Sequence, residues 1–92
     1  MNYLLTIAYN GSKYYGFEKQ KKYPSIQEEV ERALSTFLGY EMTIHGSGRT
    51  DKGVHAHNQK CNFKPKEAIK DLDYCVFALN RLLPKDIFVK SI

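Results

Sequence analysis

Apolar residues recur along the chain with two distinct periods, and these divide it into elements. Tyr3 to Tyr9 is rich in β-branched and aromatic residues and is followed by Asn10-Gly11-Ser12, a turn sequence, so it predicts a first strand. Ile26, Val30, Ala33, Leu34, Phe37 and Leu38 recur at helical spacing, while Glu28, Glu29, Glu31 and Arg32 lie off that stripe. Ser25-Ile26-Gln27-Glu28 has capping-box form and predicts a helix start at Ile26; Gly39 marks its stop. Glu41 to His45 reads as a short strand and Val54 to Phe63 as a longer one, with His55, His57, Gln59, Cys61 and Phe63 alternating onto one face. Ile69, Leu72, Val76, Leu79 and Leu83 mark a second amphipathic helix without a clear start, ended by Pro84. Ile87-Phe88-Val89 supplies a last strand.

The resulting order, β-α-β-β-α-β, is the split βαβ pattern. It predicts an α+β, ferredoxin-like sandwich with a four-stranded, mainly antiparallel sheet and two helices on one face. The other face is left open to a ligand or another domain. Ninety-two residues suffice for a single domain, residues 1–92, but leave little interior for an enclosed active site.

Fourteen Lys and Arg against ten Asp and Glu give a net charge of +4, compatible with a polyanionic partner and equally with simple solubility. Distribution is more informative than the sum. Lys13, Lys19, Lys21 and Lys22 crowd a stretch that also holds Tyr14, Tyr15, Phe17 and Tyr23, a basic segment with interleaved aromatics. Cys61 and Cys75 do not have the spacing of a disulfide scaffold, which fits a reducing, cytoplasmic setting. The N-terminus lacks secretory-signal features, and no apolar run approaches membrane-spanning length, so no membrane association is expected.

Candidate chemistry concentrates in Gly46-Ser47-Gly48-Arg49-Thr50-Asp51-Lys52-Gly53-Val54-His55-Ala56. Its glycines permit close approach by a bulky partner, and Arg49 and Asp51 place opposite charges near each other. On the residues alone, Asp51 is either a nucleophile or base kept ionised by Arg49, or part of an Asx-turn with a surface ion pair. His55, His57, Cys61 and Cys75 match no closed four-ligand zinc spacing, so no metal is expected.

This loop resembles the signature loop of the tRNA pseudouridine synthase A (TruA) family. Three further segments resemble that family in the same order: Tyr9 to Gln20 its first strand and loop, Ser25 to Glu28 its first helix start, and Leu79 to Ile87 its second helix exit. The resemblance covers essentially the whole chain and implies an N-terminal half whose second half is absent. It implies isomerisation of uridine to pseudouridine in the tRNA anticodon stem-loop, without metal or cofactor. Asp51 then corresponds to the catalytic aspartate, acting on a flipped uridine, Arg49 to the arginine that helps displace the base, and Thr50 to a loop-shaping residue beside the substrate. Lys13, Lys19, Lys21 and Lys22 would neutralise phosphates, and nearby aromatics would stack on unpaired bases. Asn80 is expected to make a structural hydrogen bond.

The sequence departs from the family pattern at Asn10, Phe17, Glu18 and Lys52, where aspartate, tryptophan, glutamine and alanine are common. Glu18 would repel phosphate, whereas Lys52 adds a positive charge beside Asp51. The expected partners are tRNA and the missing C-terminal half or an equivalent subunit, with a homodimer as a further possibility. Two other classes stay open: an RNA-binding module, although His55 to Phe63 lacks the aromatics of an RNP1 strand, and an inactive partner subunit. Alone, the chain is expected to fold and self-associate through an exposed sheet edge or face, but not to turn over.

Overall fold

The computed structural model describes residues 2–14, 16, 25–46 and 56–92, with only the backbone of 56 and 57. Its strands are β1 (Tyr3–Tyr9), β2 (His45–Gly46), β3 (Ala56–Phe63) and β4 (Ile87–Ser91); its helices are α1 (Ile26–Leu38) and α2 (Leu72–Leu82). They form one four-stranded sheet in the order β2-β3-β1-β4, with every neighbouring pair antiparallel. This is the α+β, ferredoxin-like arrangement that the hydrophobic pattern predicts.

Strand alternation builds the core. Leu5, Ile7 and Tyr9 of β1, Cys61 and Phe63 of β3, and Ile87 and Val89 of β4 are buried together with Ile26, Val30, Ala33 and Leu34 of α1 and Cys75 and Leu79 of α2. On the opposite sheet face Leu4 and Phe88 are exposed. Tyr3 lies opposite Phe63 with stacked rings whose centroids are 5.6 Å apart. Because a one-residue slip would turn every buried side chain of β1 toward solvent, this pair and the core fix the register together.

Local chemistry ends the helices where the sequence indicates. The Ser25 hydroxyl accepts a hydrogen bond from the Glu28 amide at 3.2 Å. Gly39 adopts the left-handed conformation, φ 85°, that a side chain would resist. The start of α2, open in the sequence, is set by Asp71, whose carboxylate accepts from the Tyr74 amide at 3.0 Å. Ile69 precedes the helix; its amide donates to the Tyr3 hydroxyl at 2.9 Å. Leu83 is extended, as the proline that follows requires.

Three details differ from expectation. The strand predicted over Glu41 to His45 pairs only at His45–Gly46. The polar backbone just before it is met instead by α1: the Met42 amide donates to Ser35 Oγ at 2.9 Å, the Ile44 amide to Glu31 Oε2 at 3.0 Å, and Gln27 Nε2 donates to the Ile44 carbonyl at 3.3 Å. Glu31, read as off the buried stripe, is consequently buried, because its carboxylate receives both the Ile44 amide and Gln27 Nε2. Thirdly, the alternation of β3 is interrupted. Ile7 faces Gln59 but Tyr9 faces Ala56, so β3 carries one extra residue between those two pairs, a bulge. Gln59, Cys61 and Phe63 keep one phase; the faces taken by His55 and His57 lie outside the described residues.

At the other sheet edge Asn80 makes its expected structural bond, and makes it twice. Its amide nitrogen donates to the Val89 carbonyl at 3.0 Å, and its oxygen accepts from the Val89 amide at 2.7 Å.

Candidate nucleic-acid site at one end of the sheet

Of the residues singled out in the sequence, Arg49, Thr50, Asp51, Lys19, Lys21 and Lys22 lie outside the described residues, and Lys13 is exposed at the end of a short 3-10 turn, Gly11–Lys13. The structure therefore defines the frame that delivers them. The signature loop leaves β2 at Gly46, opposite Cys61, and re-enters at Ala56, opposite Tyr9. Tyr9 also faces Ile87, so the end of β1 and the starts of β3 and β4 meet at one end of the sheet.

The basic segment departs from the same end. The side chain of Asn10 accepts from the Ser12 amide at 3.0 Å, and its own amide donates to the Asp86 carbonyl at 2.9 Å. Asparagine thus performs the capping that an aspartate would perform there. The chain turns through Gly11–Lys13, and the Ile26 amide at the head of α1 donates to the Gly16 carbonyl at 3.4 Å. Residues 17–24, which carry Lys19, Lys21 and Lys22, begin and end at this junction.

Tyr14 corrects one expectation. It is buried, 6% exposed, and its hydroxyl donates to Asp86 Oδ1 at 2.8 Å. A buried, engaged ring does not stack on a base, so Tyr14 anchors the segment instead of presenting it. Burial and the Asp86 carboxylate together push its phenol well above the ordinary range.

The open face adds polar groups that the loop motif did not reveal. Lys60 Nζ donates to Thr6 Oγ1 at 2.8 Å, and Lys90 Nζ donates to Asn58 Oδ1 at 2.8 Å. The signal was present in β3: Asn58, Lys60 and Asn62 form the polar half of the alternation whose other half is Gln59, Cys61 and Phe63. Among the described residues of the two central strands this face carries no aromatic ring, and Phe88 stands on edge strand β4. An RNP1-type stacking platform needs aromatics on those central strands.

Two features lie elsewhere. A groove of about 380 Å³, lined by Phe37, Tyr40, Ile69 and Tyr74 among others, sits at the C-terminal end of α1, away from the junction of Gly16 and Ile26. Cys61 and Cys75 are buried, and burial alone raises their thiols to about 12 and about 11. Among the described residues no group of three or more His, Cys, Asp or Glu is arranged to hold a metal ion, and no helix is long and apolar enough to cross a membrane.

Comparison with known proteins gives this frame its context. The family model described as tRNA pseudouridine synthase matches residues 5–92. A tRNA pseudouridine synthase A of Caldicellulosiruptor bescii is 48% identical over 90 residues, covering 98% of this chain and 36% of the relative. The namesake protein of a Nostoc species is 39% identical over 87 residues, covering 95% and 30%. That of Finegoldia magna is 50% identical over 62 residues, covering 67% and 25%. The chain thus spans about a third of the length of the first two relatives. With the motifs in order and a family match over residues 5–92, which includes both helices and reaches into all four strands described, the chain belongs to the tRNA pseudouridine synthase family.

Proposed function

We propose that this chain is the catalytic-loop part of a tRNA pseudouridine synthase that isomerises uridine in the anticodon stem-loop, with Asp51 as the catalytic residue. The observation that carries the proposal is the family match across the whole segment from β1 to β4, with Gly46-Ser47-Gly48-Arg49-Thr50-Asp51 at its centre. The reaction is an isomerisation: the bond between ribose C1′ and the uracil nitrogen breaks, a bond from C1′ to the ring carbon forms, and a proton leaves that carbon while another reaches the freed nitrogen. No electrons are gained or lost, so the balance calls for no redox cofactor. It calls for a carboxylate at the ribose or at the migrating proton, and Asp51 supplies it as nucleophile or base.

Stacked bases shield the reacting bond, so the uridine has to be extruded before Asp51 reaches it. Arg49 takes the place of the departing base, and Thr50 shapes the loop against the substrate. Lys13, Lys19, Lys21 and Lys22 neutralise phosphates of the arm, and their segment leaves the same end of the sheet as the re-entry of the signature loop, which supports a joint role. A single open sheet face does not enclose a flipped nucleotide. The remaining length found in the relatives, supplied in the same chain, by another subunit or through a homodimer, is required to close the site. The setting is the cytoplasm, where tRNA is modified.

The test is a turnover assay on a tRNA anticodon arm, run with these 92 residues alone and with the same residues joined to the remaining length of the Caldicellulosiruptor bescii relative. Pseudouridine from the joined protein only supports the proposal. Turnover by the 92 residues alone refutes the need for a second part, and tight binding without turnover in both forms favours an RNA-binding module.

A further inference from the structure

β2 is the entry arm of the signature loop, and among the described residues it pairs with β3 through His45 opposite Asn62 and Gly46 opposite Cys61, both of its residues being exposed. Neither residue has a buried side chain to tie it to the core, so these two pairings are joined by bonds from a second element. That element is α1. Gln27, Glu31 and Ser35 follow one another at a spacing of one helical turn and so share a face. Ser35 Oγ accepts from the Met42 amide at 2.9 Å and donates to the Met42 carbonyl at 3.4 Å. Glu31 Oε2 accepts from the Ile44 amide at 3.0 Å, and Gln27 Nε2 donates to the Ile44 carbonyl at 3.3 Å and to the same Glu31 oxygen at 3.0 Å.

We propose that Gln27, Glu31 and Ser35 are positioning residues for the catalytic loop: by gripping the backbone of Met42 and Ile44 they fix where Gly46 delivers the residues that carry Asp51. The inference rests on the reading of Asp51 as the catalytic residue. An apolar side chain at position 31 would satisfy the core, but the Ile44 amide would lose its partner. A buried carboxylate is costly unless its oxygens are engaged, and Glu31 spends that cost on the direction of a backbone. From Met42 to Ile44 the chain runs toward the N-terminus of α1, beside which the basic segment is closed by Gly16 and Ile26. The loop is therefore held at its entry by α1 and at its exit by the bulged pairing of β3 with β1. Catalysis by an aligned carboxylate is sensitive to displacements of about 1 Å, which cost on the order of a hundredfold in rate.

Asn80 provides an internal control, since it grips Val89 with a similar pair of bonds on the far edge of the sheet, remote from the loop entry. Glu31→Ala, Gln27→Ala, Glu31→Gln and Asn80→Ala are compared in two settings. In the 92-residue chain, NMR reads proton contacts from β2 to Cys61 and Asn62 and the amide shift of Asp51. Loss of those contacts and a moved Asp51 signal are expected for Glu31→Ala and Gln27→Ala, with neither change for Asn80→Ala. In the chain joined to the remaining length of the Caldicellulosiruptor bescii relative, Glu31→Ala lowers kcat about tenfold or more with KM for tRNA within about threefold, and Asn80→Ala leaves kcat within about twofold. Glu31→Gln, which retains an oxygen for both donors, recovers most of the rate. Unchanged β2 contacts in Glu31→Ala and Gln27→Ala, or equal losses of kcat in Glu31→Ala and Asn80→Ala, overturn the inference. An inactive joined parent refutes the catalytic reading, while the NMR comparison still decides whether α1 positions the loop.

Discussion

Tyr14 Oη donates to Asp86 Oδ1 at 2.8 Å, joining the segment after β1 to the turn before β4 across 72 positions of sequence. Together with the bond from the Asn10 amide to the Asp86 carbonyl, it makes Asp86 the fastening point of the sheet end from which the basic segment departs. Tyr14→Phe keeps the ring and removes the bond. It is expected to lower stability by about 1.5–3 kcal/mol, the usual range for a hydrogen bond to a charged partner, measured by urea unfolding. The pH dependence carries a sign. Burial, then the Asp86 bond and charge, raise the Tyr14 pKa above its ordinary 10.0, so the folded state favours the protonated phenol. That stabilisation is complete below pH 10.0 and is lost as pH rises from there through the folded-state pKa. The parent should therefore lose stability in alkali more steeply than Tyr14→Phe; parallel curves would show that the phenol is not buried against Asp86.

Asp51→Asn, made in the joined protein, keeps the shape of the side chain and removes its charge. Pseudouridine formation should fall below detection while tRNA affinity stays within about tenfold, because the interaction lost belongs to the transition state. Residual turnover at the parental rate would assign the chemistry to another residue. Loss of the folded state instead would make Asp51 part of a structural turn.

Changing Lys19, Lys21 and Lys22 together to Ala should weaken tRNA binding. It should also reduce the slope of log affinity against log salt by about one to three, since each phosphate contact releases condensed counterions. The measurement is a salt titration of binding by fluorescence anisotropy. Identical slopes for parent and variant would put the segment away from the RNA backbone.

Cys61 and Cys75 are expected to resist alkylation in the folded chain. Burial raises their thiols to about 12 and about 11, and Cys61 Sγ lies 3.8 Å from the Leu5 carbonyl oxygen to which it donates. The thiolate is the reacting species, so at pH 8 labelling should be slow until urea is added and then reach both residues. Rapid labelling without denaturant would show that the interface between the helices and the sheet opens readily.

The parts of this structure legible in the sequence are those in which one residue type acts through its immediate neighbours. Ser25 caps α1, Gly39 ends it, Pro84 follows the end of α2, and the alternation in β1 sorts Leu5 and Ile7 from Leu4. What was not legible depends on groups distant in the chain. Glu31 carries a carboxylate, and its burial is understood once the Ile44 amide, 13 positions away, is brought against it beside Gln27. Tyr14 looks like its neighbours Tyr15 and Phe17 until Asp86 is brought against it. The extra residue in β3 has no sequence mark, because it is a property of pairing with β1. For the candidate site, the sequence names Asp51, Arg49 and Thr50 through a motif, whereas the structure describes their anchors, Gly46 and Ala56.

The contact between Gly16 and Ile26 has a consequence for how such a chain can vary. The residues on either side of positions 17–24 are fastened to each other by that backbone bond, and Tyr14 is fastened to Asp86, and neither bond draws on a residue of the interval. The charge carried by positions 17–24 can therefore change while both fastenings, and with them the points of departure and return, keep their own partners.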